Sequence, residues 1–573
     1  MACVSPYWHC TSTMALQTNP LSHIPWPWWT RFTALPATYK FMTAHQPDWI
    51  HDLHAKYGPV VRYSPTEVDV SDPKTAQYIH SVKSGYLKTP FYSLLVTDSS
   101  SVFNEIRPEL HRKYKRLLAY PMSETGLKTF FPRIDKKVRF AIESIRNEHN
   151  KTGAADVAKW FMLLSFDVIG DLAFGQSFGN LENGKRTQSV TDFVSLGYVS
   201  GLRIAFPIVS RLARYLPIPV FKDATAIQFR TFDYTQRALD RHFQRVEEKG
   251  VDDDPMVFSK AFATDQEEQL TRIEMRDNAQ VFIVGGSDTT ANSMIYLVWA
   301  VCRNPAIKAR LLAELDSLPD DYDYDALKNL AYLNMIIQET LRLYTALPGG
   351  LPRSVPPGGE KLAGHFIPGG FTVATQAYSL HRDETAFPDP FQFKPERWEQ
   401  TSQRMKDCLM PFGGGARACL GRNLALIELR LITTLSSSEV ESITAVLHAY
   451  GAALKRRDVE ETLSLYTSDG VIMPPHFTSA AGTTALRESY TRIFSTIQLE
   501  IKFDIEEVVV MSSDWAFART TAEGTKTMLA TQESEPQANQ ELFIMKKEES
   551  DWKIARYAFS TMKPLVQNGV RRS

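Results

Sequence analysis

Long hydrophobic runs are missing from the start of this chain. Residues 1–18 carry no charge, but Pro6, His9 and Gln17 interrupt them, and no run of about 18 apolar residues exists there to form a membrane span. No basic region precedes an apolar core either, so the secretory signal pattern is absent. Cysteine is scarce: the five residues Cys3, Cys10, Cys302, Cys408 and Cys419 are scattered without paired spacing. That scatter argues against a disulfide framework or a zinc site and fits a reducing, cytosol-facing environment. Charge of one sign is lacking too. Lys plus Arg number 64 and Asp plus Glu 65, a net −1 with no basic tail, which speaks against a nucleic-acid partner.

What is present begins with length: 573 residues exceed a single core and suffice for two or three domains. The most informative segment is Phe412-Gly-Gly-Gly-Ala-Arg-Ala-Cys-Leu-Gly421. Gly413, Gly414 and Gly415 can adopt backbone angles that aim amide N–H groups at a sulfur. The run Leu420–Leu435 reads as a helix, placing Cys419 at a helix N-terminus, where the dipole favours a thiolate. Phe412 can shield that sulfur, and Arg417 is placed to meet a carboxylate of a cofactor. A buried cysteine in a glycine-rich loop would explain any one of these residues but not the set. The segment resembles the cysteine-ligand loop of the cytochrome P-450 monooxygenases, which implies a haem (an iron porphyrin) with Cys419 as its metal ligand.

Three further segments agree with that resemblance. Glu339 and Arg342 share a helix face and can pair. The resemblance implies that Arg397, in Phe393-Lys-Pro-Glu-Arg-Trp398, joins them in a buried network that holds the cysteine loop. Gly285-Gly-Ser-Asp-Thr-Thr290 lies in a helical stretch from about Met275 to Cys302, where paired glycines cost about 1 kcal/mol each relative to Ala. The family's matching segment crosses the haem's distal face, implying Asp288 and Thr289 as the proton-delivery pair. His111-Arg-Lys-Tyr-Lys115 resembles the helix that reaches a haem propionate, with His111 and Lys115 where Trp and Arg are frequent. Lys there offers a point charge rather than a fork. Arg353 and Arg417 are the other propionate candidates.

The stretch Asn19-Pro-Leu-Ser-His-Ile-Pro-Trp-Pro-Trp-Trp29 resembles the hinge of microsomal members, and its tryptophans suit peripheral contact with a membrane interface. Residues 1–30 therefore read as an N-terminal segment and hinge, and 31–435 as a mainly α haem domain with small β-sheets, lacking the family's last strands. By family the location is the surface of the endoplasmic reticulum; without an anchor the cytoplasm is the alternative.

After Leu435 a polar stretch, Ser436-Ser-Ser438, precedes a new pattern. Ser438-x-x-Glu441 has the form of a capping box, followed by Val440, Ile443, Leu447, Tyr450 and Leu454 at helical spacing. Asp458-x-x-Glu461 begins a second helix with Val459, Leu463 and Tyr466 inward, and a third starts near Thr484. Alternating strands follow, around Leu499–Ile505, Trp515–Arg519, Glu541–Met545 and Trp552–Ile554. Within 438–573, Ala453-Leu-Lys-Arg-Arg-Asp458, Leu465-Tyr-Thr-Ser-Asp-Gly470 and Gly482 resemble SnoaL-like members of the nuclear-transport-factor superfamily, and the resemblance implies an α+β cone-shaped barrel. His476 is the first candidate for a site there; Asp504, Arg519, Glu541, Tyr466 and Tyr490 are further acid–base candidates. For the tyrosines a core position, and for Asp504 and Glu541 a solvent-facing one, is the plainer reading.

The hinge, Trp28-Trp29 and Tyr57-Gly-Pro-Val-Val-Arg62 resemble filamentous-fungal members that tailor secondary metabolites, so the resemblance implies a haem-thiolate monooxygenase of that type. It would oxidise a lipophilic small molecule with dioxygen and electrons from an NADPH-dependent reductase. The alternatives are an impaired oxygenase whose chemistry lies in a C-terminal cyclase, dehydratase or isomerase domain, or a fusion of two neighbouring genes.

Overall fold

The computed structural model describes residues 19–571 apart from 97–98, 153, 213–217, 250–256, 259–268, 320–321, 476, 512–513, 549–550, 562–565 and 568–569. The chain divides into two compact units: Met1–Val138 with Ala158–Ile432, and Arg139–Val157 with Thr433–Ser573.

The first unit is mainly helical. Its long helix Arg272–Cys302 opens on a capping box, the Thr271 hydroxyl accepting from Glu274 N–H while the Glu274 carboxylate accepts from Thr271 N–H. Helix Val157–Phe174 is apolar nearly all round and is buried as such. Among the described residues no helix is long and apolar enough to cross a membrane. A five-stranded sheet runs in the order Val60–Ser64, Glu67–Val70, Thr372–Ala374, Arg353–Ser354, Leu87–Lys88. Its outer antiparallel pairing sets Lys88 opposite Arg353. The hinge-like stretch packs against this unit: Leu21 and Ile24 are fully buried with Val60, Val68 and Val373, and Trp29 stacks on Trp49.

The second unit differs from the sequence reading in three places. No helix starts at Ser438; one helix, Arg422–Arg456, passes unbroken through Ser436–Ser438. Serine costs a helix interior only about 0.5 kcal/mol. Apolar residues also continue at helical spacing across the serines, from Leu431 and Leu435 to Val440, Ile443 and Leu447, so the local capping signal is overridden. The second helix is shorter than expected, Val459–Ser464, capped by the Asp458 carboxylate at 3.0 Å from Glu461 N–H. Tyr466 therefore opens a strand, Tyr466–Met473, rather than ending a helix. The third helix is Gly482–Thr496.

Four long strands follow as an antiparallel meander: Ile497–Val510, Trp515–Met528, Ser534–Glu548 and Asp551–Thr561. The strand Tyr466–Met473 adds in parallel to the last of them, and Ala480–Ala481 pairs beyond it. The resulting six-stranded sheet is open, its two end strands being Ile497–Val510 and Ala480–Ala481, so the expected barrel is not closed. Its inner face and the helices share one core that includes Ile443, Leu447, Tyr450, Tyr490, Phe543 and Ile554.

Candidate functional site

In the first unit one cavity gathers most of the residues singled out in the sequence. Cys419, Phe412, Arg417, Arg353, His111, Lys115 and Thr289 all line it. Cys419 lies deep in the molecule, yet its side chain is open to this cavity. The helix begins at Arg422, two residues later than the sequence suggested, so the cysteine sits in the turn before it. Burial pushes its thiol up; the N–H groups of Gly421 and Arg422 and the Arg422 charge pull the other way. Cys419 N–H donates to the Phe412 carbonyl at 2.9 Å, which closes the turn. Gly415, at φ +60°, is required here: a Cβ on it would lie 1.8 Å from the His80 carbonyl oxygen.

The opposite wall comes from helix Arg272–Cys302. Gly285, Gly286, Thr289, Thr290 and Ser293 face the cavity, and a Cβ on Gly285 would meet nothing within 4 Å. That glycine leaves open space in this wall of the cavity. The Thr289 hydroxyl donates to the Gly285 carbonyl at 2.7 Å, keeping its oxygen as an acceptor. Asp288 is adjacent in sequence but is not part of the cavity wall. Its carboxylate accepts from the Asn292 amide at 3.2 Å, and burial pushes its acid up.

One end of the cavity is strongly basic. Lys88, His111, Lys115, Arg353 and Arg417 all line it, and among the described residues no carboxylate does. Arg417 donates to the Glu105 carbonyl at 2.7 Å, Lys115 to the Ala416 carbonyl at 2.8 Å, and Arg353 to the Tyr92 hydroxyl at 2.9 Å. Burial, with Arg353 and Arg417 beside it, lowers Lys88 to about 6; burial and Arg353 lower Arg417 to about 10. Burial, Arg417, Lys88 and Lys115 hold His111 near 3. Crowded basic groups of this kind suit an anion with more than one charge.

Lys88 was not found in the sequence reading. It sits in no recognisable motif and reaches the site only through its strand pairing with Arg353. Its ammonium also donates to the Phe103 carbonyl and lies over the Tyr92 ring.

Behind the cysteine loop Glu339 is fully buried and fully partnered. Arg342 Nη2 and Nε donate to its two oxygens at 2.8 and 2.9 Å, and Arg397 Nε at 3.0 Å. Trp398 Nε1 and the Lys394 N–H, neither foreseen, donate as well, at 3.0 and 2.9 Å. Arg342 Nη1 reaches the carbonyls of His381 and Pro390, pinning the segment that leads to the loop.

In the second unit, His476 lies outside the described residues. Asp504 is exposed and paired with Lys502, and Arg519 is exposed between Glu506 and Glu507. Glu541 contradicts its solvent-facing reading. It is only 2 % exposed, on the same strand face as Phe543 and Met545.

The residues present fit a haem. A deep sulfur with two inward N–H groups faces a glycine-lined gap, and the basic end suits the two carboxylates of a porphyrin. Comparisons with known proteins agree. The family model for Cytochrome P450 matches residues 24–442, and that for a SnoaL-like domain matches 447–557. Cytochrome P450 monooxygenase tazI of Aspergillus terreus is 42% identical over 74% of this chain and 87% of its own length. Cytochrome P450 monooxygenase orf2 of Aspergillus niger is 40% identical over 73% of this chain and 86% of its own. Averantin hydroxylase of Dothistroma septosporum is 30% identical over 73% and 79%.

Proposed function

The chain belongs to the cytochrome P450 family and carries a SnoaL-like domain after that region, and from this premise we propose that Cys419 would hold the iron of a haem in a monooxygenase acting on a lipophilic small molecule. The observation that carries the proposal is the deep Cys419 side chain, open to a cavity with five basic groups at one end and, among the described residues, no acid in its wall. A bound haem with a thiolate ligand supplies the chemistry of dioxygen activation and O–O cleavage.

The chain's own residues do the rest. The N–H groups of Gly421 and Arg422 hold negative charge on the sulfur. Lys115, Arg353 and Arg417, with His111 and Lys88 beside them, would hold the porphyrin carboxylates. Gly285 leaves open space in the cavity wall, and Thr289 would hold or pass a proton there, with Asp288 next to it in the chain as the acid. Val102, Phe103, Val281, Phe282 and Leu347 give the remaining wall an apolar surface that excludes water and suits an apolar substrate. Electrons come from an NADPH-dependent reductase docked outside the cavity. The averantin hydroxylase among the relatives supports a substrate of fungal secondary metabolism.

The domain following position 438 is read as an independently folding one. Exposed Trp28, Phe32, Leu35 and Tyr39 support peripheral contact with a membrane surface such as that of the endoplasmic reticulum. The decisive experiment is the absorbance of the reduced, carbon monoxide-treated full-length chain. Wild type gives the band of a thiolate-ligated haem and Cys419→Ala does not; a retained band in the variant overturns the assignment.

A further inference from the structure

The segment Ser99–Arg107 carries Val102 and Phe103 into the cavity wall, and it has no helix or strand of its own. Its position is therefore set by what it is tied to. Ser101 N–H and the Ser101 hydroxyl donate to the Asn104 side-chain oxygen at 2.8 and 2.7 Å. The Asn104 amide donates to the Ser99 carbonyl at 2.9 Å, which braces the turn around Val102 and Phe103.

The outside ties come from three places. Helix Arg272–Cys302 holds two N–H groups: the Asp277 carboxylate accepts from Ser100 at 3.0 Å and the Asn278 side-chain oxygen from Val102 at 2.8 Å. Arg417 donates to the carbonyls of Glu105 and Ile106 at 2.7 and 3.3 Å. Lys88 Nζ donates to the Phe103 carbonyl. The same nitrogen lies 4.8 Å from the centre of the Phe103 ring and 4.2 Å from that of Tyr92.

Lys88 differs from the other ties in kind. Arg417, at about 10, keeps its charge at neutral pH, and the Asn278 oxygen accepts without any charge. Everything Lys88 does for Phe103 depends on a proton. An ammonium makes a charge-assisted bond to a carbonyl and is drawn to a ring face; a neutral amine bonds weakly and is not drawn. Burial, with Arg353 and Arg417 beside it, holds Lys88 at about 6, so these contacts are weak in the free protein. His111 faces the same group and is neutral, while Glu105 is taken up by Arg107 at 2.9 Å and does not line the cavity. Carboxylates brought in among Lys88, Arg353 and Arg417 return the proton, which comes from solvent and moves no electrons.

We infer that Lys88 is a positioning residue that joins the two ends of the cavity: a dicarboxylate bound at the basic end fixes Phe103, and Phe103 then completes the apolar wall that meets the ligand. This rests on the haem reading of the basic end and adds an order of assembly to it. The cofactor edge comes first, and the ligand wall is finished only afterwards.

The test uses iron-free protoporphyrin IX, which has both carboxylates, and its dimethyl ester, which has neither. Each is added in excess to the full-length chain at neutral pH, and amide hydrogen exchange is read over residues 102–106. Protoporphyrin IX should slow this exchange about tenfold in wild type, and the ester should not. In Lys88→Met, which has no proton to gain, protoporphyrin IX should leave the rate unchanged. No slowing by protoporphyrin IX in wild type, equal slowing by the ester, or equal slowing in Lys88→Met each overturns the inference. The ester comparison needs no substitution, so it decides the matter even where the variant fails to fold. Neither molecule contains iron, so Cys419 takes no part. Failure of the monooxygenase reading shows separately, as a missing thiolate band in the haem-loaded chain.

Discussion

Lys88 and Arg353 are direct partners across an antiparallel strand pair, two basic side chains side by side in the wall of one cavity. Burial, with Arg353 and Arg417 beside it, lowers the lysine to about 6, so in the free protein Lys88 is mostly uncharged at neutral pH. Binding of a dianionic porphyrin edge reverses that balance. Lys88→Met is expected to lose haem to apomyoglobin about tenfold faster, the equivalent of one charge-assisted bond. Lys88→Arg should retain it, and equal loss rates in wild type and Lys88→Met would remove Lys88 from the carboxylate end.

Thr289 presents its hydroxyl to the same cavity while bonded to its own helix at Gly285. Thr289→Ala removes the proton-bearing oxygen and leaves the fold of the helix intact, because Ala is the better helix former. The variant should bind haem normally and consume NADPH with less product and more hydrogen peroxide. Product per NADPH equal to wild type would show that the hydroxyl takes no part.

Much of this site is legible as short contiguous segments, because the chemistry of each is local. Cys419 and its glycines, Gly285 to Thr290, and the Glu339–Arg342 pair each occupy a single turn or helix face. Lys88 is invisible for the opposite reason: its meaning comes from a strand pairing with a residue far along the chain. In the second unit, the capping pattern at Ser438 is a local signal outvoted by apolar spacing on both sides. Glu541 could not be assigned a face by alternation, since Leu542 and Ile544 are as apolar as Phe543 and Met545. The curl of the sheet decides which set turns inward.

Glu339 carries the load of two guanidinium groups, both buried. Glu339→Gln keeps the shape but leaves Arg342 as an uncompensated charge in the interior. Breaking such a pair costs about 3–5 kcal/mol. The expected outcome is a chain that melts well below wild type and fails to give the thiolate band after reduction with carbon monoxide. A melting temperature within a degree or two of wild type would mean that the network contributes little to holding the cysteine loop.

The pH dependence of the second unit follows from Glu541, whose acid lies at about 7 in the folded chain against an ordinary 4.5. The folded state therefore binds this proton more tightly than the unfolded one. Its contribution to stability is complete below about pH 4.5, falls as pH rises from there to about 7, and is gone above that. The difference across this window is on the order of 3 kcal/mol, at 1.36 kcal/mol for each pH unit between the two values. Tyr557 and Tyr490, which feel the same charge, are held above their ordinary value and stay neutral throughout, so they add no opposing slope. Amide hydrogen exchange of the strand Ser534–Glu548 in the full-length chain, corrected for intrinsic rates, should therefore show protection falling from pH 5 to pH 7.5. In Glu541→Gln, which has no proton to lose, that fall should vanish. A fall of the same size in both proteins would place the titrating group elsewhere and remove Glu541 as a buried acid near neutrality.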